Sequence, residues 1–464
     1  MEKQSQAQEL RPGCKVRLHG LKSAADLNGQ SGIVEELVPG SGRWRVRLTN
    51  GEAKDLKADN LAMEWQECIA SASAPAVPVV LAEERVPTAS VAPAVVAVGA
   101  PAEVSVAPEG GAAFEAWPGE ACGPGGRFVL QEKLGEGTFS TVYRCKDMQV
   151  EGLEYALKFT RTSAQTRKAL EREIKLMGFL CTQVGENDPE AMRCIVRLVF
   201  FEGFEHRGHL AMAFELMKCN LRSALFRYGS GRGLPLLPTV RNFGRNVFLA
   251  LRALRKANLL HCDVKPENLL LSMDSESVKL SDFGTTVSLA ERPRTDELQP
   301  RHYRAPEVIL GQEYDMQIDV WSAGATLFEL ATDNTLFVGE SNNDMIYEML
   351  KVCGAFPPAF ATTGTYAMNH FTKGADFIRV NGDMTIEVPK TWVVPMGTFT
   401  VPSRPIGGLL EAALKEPPRG VQRSRHQGLV LHLTDLLSRC VVPDPASRTT
   451  PEAALAHRFF QKGA

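Results

Sequence analysis

Apolar residues along this chain change their spacing twice, and the changes divide it into three regions. In residues 10–65, short alternating runs (Lys15-Val16-Arg17-Leu18, Ser31-Gly32-Ile33-Val34, Trp44-Arg45-Val46-Arg47-Leu48 and a stretch around Leu56) are separated by Asn28-Gly29, Pro39-Gly40 and Asn50-Gly51. Alternation with period two, broken by such dipeptides, predicts a small β-barrel. Residues 66–124 are rich in Ala, Val, Pro, Ser, Glu and Gly without either period, which predicts a flexible, partly extended linker. From 125 onward strand-like runs return: Tyr155-Ala156-Leu157-Lys158, apolar Leu210 to Met217, and Val278-Lys279-Leu280. Among them, Ser163 to Leu180 has helical spacing. Glu173, Met177 and Leu180 fall at i, i+4 and i+7 on the inward stripe, whereas Glu171 has Lys175 at i+4 and is expected in a solvated helical pair. Strands with one helix, followed by a mainly helical half, predict an α+β domain of two lobes.

With 464 residues, 44% of them hydrophobic and 23% charged, the chain can bury more than one core. Its net charge of −2 offers no global attraction to nucleic acid or anionic membrane, so any nucleic-acid contact has to be local. The local candidate is Arg43, Arg45 and Arg47, which share a sheet face and would offer a basic stripe to RNA or an acidic partner. The competing reading is a solvated outer face with Trp44, Val46 and Leu48 turned inward. Ten cysteines occur without a Cys-x-x-Cys pair, which fits reduced thiols, no structural zinc and a cytosolic or nuclear compartment. Residues 1–10 lack an apolar core, and the tract from Val86 to Val98 is broken by Pro87 and Pro93, so neither a signal peptide nor a membrane helix is expected.

The richest chemistry lies in His261-Cys262-Asp263-Val264-Lys265-Pro266-Glu267-Asn268, with Asp282-Phe283-Gly284 beginning 19 positions after Asp263. These segments supply a carboxylate to receive a hydroxyl proton (Asp263), a lysine for a transferring phosphoryl group (Lys265), and an Asn268/Asp282 pair to hold Mg2+. Upstream, Leu134-Gly135-Glu136-Gly137-Thr138-Phe139-Ser140-Thr141-Val142 lies between β-prone segments, where glycines let backbone amides approach phosphate oxygens. Lys158 ends a strand from which it can reach the α- and β-phosphates, and Glu173 is the carboxylate chosen to orient it. Singly, each has a plainer reading as a surface or core residue. In this order they point to phosphoryl transfer from ATP.

With Ala305-Pro306-Glu307 and Asp319-Val320-Trp321-Ser322-Ala323-Gly324 added, the chain resembles eukaryotic protein kinases from Arg127 to the C-terminus. Lys265 after Asp263 matches the serine/threonine pattern, and Arg301-His302-Tyr303-Arg304-Ala305-Pro306-Glu307 resembles the CMGC group. Asn220-Leu221-Arg222, Phe248-Leu249-Ala250-Leu251 and Phe337 to Asn343 are similar to the DYRK-like branch, most of all to its pre-mRNA-processing spliceosomal members. The resemblance implies a bilobal kinase fold over 125–464, with a small lobe at 125–217, a large lobe at 218–464 and a CMGC insert at about 354–420. It implies ATP and Mg2+, with Asp263, Lys265, Lys158 and Glu173 catalytic and Asn268 and Asp282 on the metal. The nucleotide pocket implied is Leu134, Gly135, Gly137, Val142, Ala156, Lys158, Phe214, Glu215, Met217 and Leu270. Asp319, Trp321, Glu307 and Arg448 match positions that tie the large lobe together. Splicing proteins are the implied substrates, the nucleus or cytoplasm the location, and a monomer is expected. The first region resembles SH3-like barrels and is expected to recruit an unidentified ligand.

Three departures bear on activity. Ser140 stands at the third glycine of the phosphate loop. Cys262 replaces the arginine that usually precedes the catalytic aspartate, so the pocket that reads activation-loop phosphate lacks its central charge. Glu297 occupies the tyrosine position of the activation loop and is expected to pair with Arg301, Arg304 or both, the alternative being an exposed loop glutamate. The rival functional class is a catalytically weak scaffold that binds partners, RNA included, through the barrel. Intact Lys158, Asp263, Asn268 and Asp282 weigh against it.

Overall fold

The computed structural model describes residues 15–18, 21, 24, 27, 28, 30–38, 41, 43–48, 52–57 and 60–63 in one unit. In a second unit it describes 111–461, apart from 118, 138, 186, 230–232, 235, 236, 294, 382–389 and 419. Gly29, Pro39, Gly40, Asn50 and Gly51 of the expected turns, and the linker through 110, lie outside the described residues.

The first unit is an antiparallel sheet of β1 (Lys15–Leu18), β2 (Ser31–Val38), β3 (Arg43–Leu48), β4 (Ala53–Lys57) and β5 (Leu61–Met63), in the order β4-β3-β2-β1-β5. Trp44, Val46 and Leu48 alternate inward to meet Leu18 and Leu61, and Arg43 and Arg47 are exposed. Arg45 Nε lies 2.9 Å from Asp55 Oδ1 across the β3–β4 pair. The hydrogen bond from Arg45 holds the Asp55 carboxyl below its usual pKa. The middle of the basic stripe is therefore matched by a cross-strand carboxylate.

The second unit begins earlier than the composition predicts. Residues 111–122 belong to it rather than to a linker running to 124, because Phe114 is only 1% exposed and stacks on Phe159 with ring centroids 4.0 Å apart. Next come β6 (Ala121–Cys122), β7 (Phe128–Glu136), β8 (Ser140–Asp147), β9 (Glu154–Thr160), α1 (Ala164–Gln183), α2 (Pro189–Met192), β10 (Leu198–His206) and β11 (His209–Glu215). The six strands form one sheet in the order β10-β11-β9-β8-β7-β6. Its two faces do different things. Phe128, Tyr143, Tyr155, Leu157 and Phe159 close an aromatic core with Phe114, while alternate residues of β9 and β11 meet α1. Ser163 caps α1 by accepting the Thr166 N–H at 3.1 Å.

The larger lobe starts with β12 (Cys219–Asn220), α3 (Leu221–Ala224) and α4 (Leu237–Lys256), whose Val240, Phe243, Val247, Leu251 and Leu254 form a buried stripe. Strands β13 (Leu259–Leu260), β14 (Leu269–Leu271), β15 (Val278–Leu280) and β16 (Val287–Ser288) frame the loops that carry the motifs. Helix α5 (Pro306–Leu310) precedes α6 (Gln317–Thr332), which is buried along almost its whole length. Helix α7 (Asn342–Cys353) starts in a capping box, with Ser341 Oγ accepting the Asp344 N–H and Asp344 Oδ2 accepting the Ser341 N–H. The expected insert contains α8 (Pro358–Ala361), β17 (Phe377–Asn381), β18 (Lys390–Val394) and α9 (Ile406–Ala413), anchored by Phe356, Phe371, Phe377 and Phe399. Helices α10 (Arg423–Cys440) and α11 (Pro451–Leu455) complete the lobe. Arg448 and Glu307 meet through two contacts of 2.7 and 3.0 Å with no side-chain exposure on either. Among the described residues, no helix is long and apolar enough to cross a membrane.

Candidate active site

The cleft side of the small lobe follows from strand register. Ala156 lies opposite Phe214 and Lys158 opposite Met212 on β11, while Val142 on β8 lies opposite Lys158. Residues two apart share a face, so Val142, Ala156, Lys158, Met212 and Phe214 all turn toward α1, away from the aromatic core. Above them the β7–β8 hairpin pairs Gly135 with Val142, and Gly137 N–H donates to Ser140 O at 2.8 Å. Nothing lies within 4 Å of the position a Gly135 Cβ would take. Leu134 is exposed, Met217 and Leu270 are half-buried, and Thr138 lies outside the described residues. Glu215 points its carboxylate at Lys279 Nζ (2.7 and 2.8 Å) and accepts the Arg197 N–H, leaving only its backbone for a nucleotide.

Lys158 Nζ lies 2.9 Å from Glu173 Oε2 and 3.0 Å from Asp282 Oδ1. Glu173 is 4% exposed and shares its stripe with Met177 and Leu180, as the helical spacing requires. Glu171 instead pairs with Arg167, at i−4, 3.2 Å away, and not with Lys175. A base N-terminal to its acid is the weaker order for a helical pair, so local spacing does not favour this partner; Arg167 also reaches Glu205 across to β10. Burial alone would depress the Lys158 pKa, but Glu173 and Asp282 outweigh it and keep the ammonium charged. Lys158 in turn holds the Asp282 carboxyl below its ordinary range against the pull of burial.

On the opposite wall, Lys265 Nζ is 2.8 Å from Asp263 Oδ1, and Asn268 Nδ2 donates to Asp263 O at 2.8 Å and Oδ2 at 2.6 Å. Burial raises the Asp263 pKa, with Lys265 and Asn268 pulling the other way. Asn268 spends its amide hydrogens on Asp263, which leaves its amide oxygen as an acceptor. With ionised Asp282 this makes an all-oxygen pair, suited to a hard cation such as Mg2+ rather than zinc. The two walls are tied by Ser281, whose N–H and Oγ both donate to Asn268 O at 2.9 and 3.0 Å. Ser281 carries no motif of its own, and its place beside Asp282 is the only sequence signal for this role.

The loop itself is held from below. His261 and Cys262 N–H groups donate to Asp319 Oδ2 and Oδ1 at 2.6 and 2.9 Å. Burial pushes the Asp319 carboxyl up to about 7 although both N–H groups favour its charged form. Burial likewise lowers His261 to about 4, so its neutral ring donates through Nε2 to Ser281 O and accepts the Asp263 N–H at Nδ1. Phe283 packs edge-on to His261, centroids 5.0 Å apart, under α1. A formed Lys–Glu pair and an inward Asp-Phe-Gly segment are the two conditions for a competent phosphoryl-transfer cleft.

A family model described as the protein kinase domain matches residues 128–460. The chain belongs to the protein kinase family. The kinase is 32% identical over 338 residues to serine/threonine-protein kinase prp4 of Schizosaccharomyces pombe, covering 72% of this chain and 67% of that protein. It is 30% identical over 336 residues to serine/threonine-protein kinase prpf4B of Dictyostelium discoideum, again over 72% of this chain but only 40% of the relative. Dual specificity tyrosine-phosphorylation-regulated kinase mbk-2 of Caenorhabditis elegans is 32% identical over 347 residues, 72% of this chain and 39% of its own. These relatives agree with the CMGC, DYRK-like resemblance of the motifs.

The expectation for Glu297 does not survive. The residue is exposed, its N–H donates to Thr295 Oγ1, and among the described residues its carboxylate has no partner in Arg301 or Arg304. Arg304 is drawn away because it is buried and bonds Gln299 O at 2.9 Å and Asn342 Oδ1 at 2.7 Å.

Proposed function

We propose that the chain transfers the γ-phosphoryl group of ATP to serine or threonine hydroxyls of proteins, with pre-mRNA-splicing proteins as the substrate class. The convergence of Lys158, Glu173 and Asp282 on one wall with Asp263, Lys265 and Asn268 on the other carries this reading. Lys158 binds the α- and β-phosphates and is aimed by Glu173. Asn268 and Asp282 hold Mg2+, which when bound offsets charge on the phosphate oxygens. Asp263 accepts the proton of the incoming hydroxyl, and Lys265 steadies the charge on the group in transit. The pocket for adenine is Leu134, Val142, Ala156, Phe214, Met217 and Leu270, with the backbone of Glu215 to Met217 at its edge.

The splicing assignment rests on the names of prp4 and prpf4B and on the motif resemblance, as does a nuclear location. The amino-terminal sheet, read as an SH3-like barrel on a linker, serves to recruit a ligand, and the kinase acts as a monomer. The test is phosphorylation of a serine/threonine peptide library by the full chain with Mg-ATP. Asp263→Asn should lower the rate by about two to four orders of magnitude while calorimetry still detects nucleotide uptake. Equal rates in parent and variant would refute the assignment.

A further inference from the structure

Arg222, at the first turn of α3, makes a set of contacts that the phosphoryl-transfer machinery does not use. Its Nε is 2.8 Å from Glu267 Oε1, its Nη1 bonds Glu329 Oε1, and its Nη2 donates to Tyr303 Oη at 2.9 Å. Tyr303 Oη in turn donates to Glu329 Oε2 at 2.5 Å. The three partners come from three separate segments of the larger lobe. Glu267 is the neighbour of Asn268 in the loop that carries Asp263, Tyr303 lies in the segment between Asp282 and Glu307, and Glu329 lies on α6. Glu329 is 2% exposed, whereas Glu267 is 39% exposed, with Oε2 shielded and, among the described residues, without a partner.

Two carboxylates that share one partner, Glu267 four residues after Asp263 and Glu329 on α6, would, left alone, be a strong cation site. A guanidinium is the group that matches such a fork, through charge-assisted and bidentate bonds. Here the chain supplies that guanidinium itself. The spare Glu267 oxygen marks a capacity that one internal arginine does not exhaust.

We propose that Arg222 occupies, in cis, the acidic pocket in which a basic side chain flanking the phosphoacceptor would otherwise bind, and so makes the kinase indifferent to basic residues in its substrates. Arg222 is thus a specificity-determining residue that acts through Glu267. The proposal rests on the kinase reading above.

The experiment uses the full chain and a serine peptide series in which arginine or alanine is placed in turn at each flanking position. The readout is the ratio of kcat/KM for the arginine and alanine peptides, which cancels any difference in the folded fraction of the enzyme. The parent should give ratios near one, and Arg222→Ala should raise the ratio about tenfold at one position. Adding Glu267→Gln to Arg222→Ala should return it toward one. Arg222→Gln, which keeps a hydrogen-bond donor for the buried Glu329, should show the same rise if the alanine variant does not fold. A parent that already prefers arginine overturns the proposal, as does an unchanged ratio in the variants. Failure of the parent to phosphorylate any peptide overturns the kinase reading and this inference together, whereas a flat ratio with ready phosphorylation overturns this one alone.

Discussion

Replacing Glu173 by glutamine removes one charge from the Lys158 pair while preserving its shape. At the 2.9 Å separation seen between them, two unit charges attract by about 6 kcal/mol at an effective dielectric constant of ~20. The amide keeps a hydrogen bond worth about 1 kcal/mol. Asp282, 3.0 Å from the same ammonium, still neutralises part of its charge. The expected net loss is then about 2–3 kcal/mol of transition-state stabilisation, a fall of about 30- to 150-fold in kcat/KM. A second effect separates this account from a simple loss of rigidity. Without Glu173 the lysine rests on Asp282 alone and competes there with the metal, so raising Mg2+ should recover part of the loss. Steady-state phosphorylation at a series of Mg2+ concentrations measures both effects. A kcat/KM within about threefold of the parent, or a deficit that Mg2+ does not touch, would refute the reasoning.

Two other outcomes follow from buried charges. Glu307→Gln should cost about 3–5 kcal/mol in urea unfolding because it strands a buried guanidinium, and Glu307→Gln with Arg448→Met should be less destabilised than either single change. Strict additivity of the two would contradict this. The Asp263 carboxyl is raised by burial, so its acid form persists to higher pH than an ordinary aspartate. The kcat/KM profile should therefore fall on acidification from an elevated pH, and Lys265→Met, which removes the counter-charge, should move that limb higher still; an unmoved limb would sink the assignment.

The site was largely legible because its residues are fixed by spacing within loops: Asp263, Lys265 and Asn268 sit within six positions of one another, and Asp282 follows a short strand. Glu173 was legible for a different reason, its place on an apolar helical stripe. Contacts across large sequence separations that no motif carries were not. Nothing near Arg222 announces that it will reach Glu329, 107 positions away, and Glu171 had three basic neighbours at helical spacing, Arg167, Lys168 and Lys175, with no local reason to prefer Arg167. Arg304 was misjudged because its burial, which commits it to Gln299 and Asn342, is a property of the packed lobe. The start of the second unit was hidden by composition, since Ala, Pro and Gly around Phe114 mask a single aromatic side chain that does the anchoring.

That anchor changes where the catalytic half can be cut. Phe114 fills the open side of the small-lobe aromatic cluster, Tyr143 Oη donates to its carbonyl at 3.3 Å, and Arg207 lies over both Phe114 and Trp117. A recombinant fragment begun at 125, the boundary that the kinase resemblance implies, would leave Phe159 and Tyr143 facing water and present a sticky apolar face to its neighbours. Beginning at 111 keeps the lid on, so the useful boundary is set by a ring that carries no motif at all.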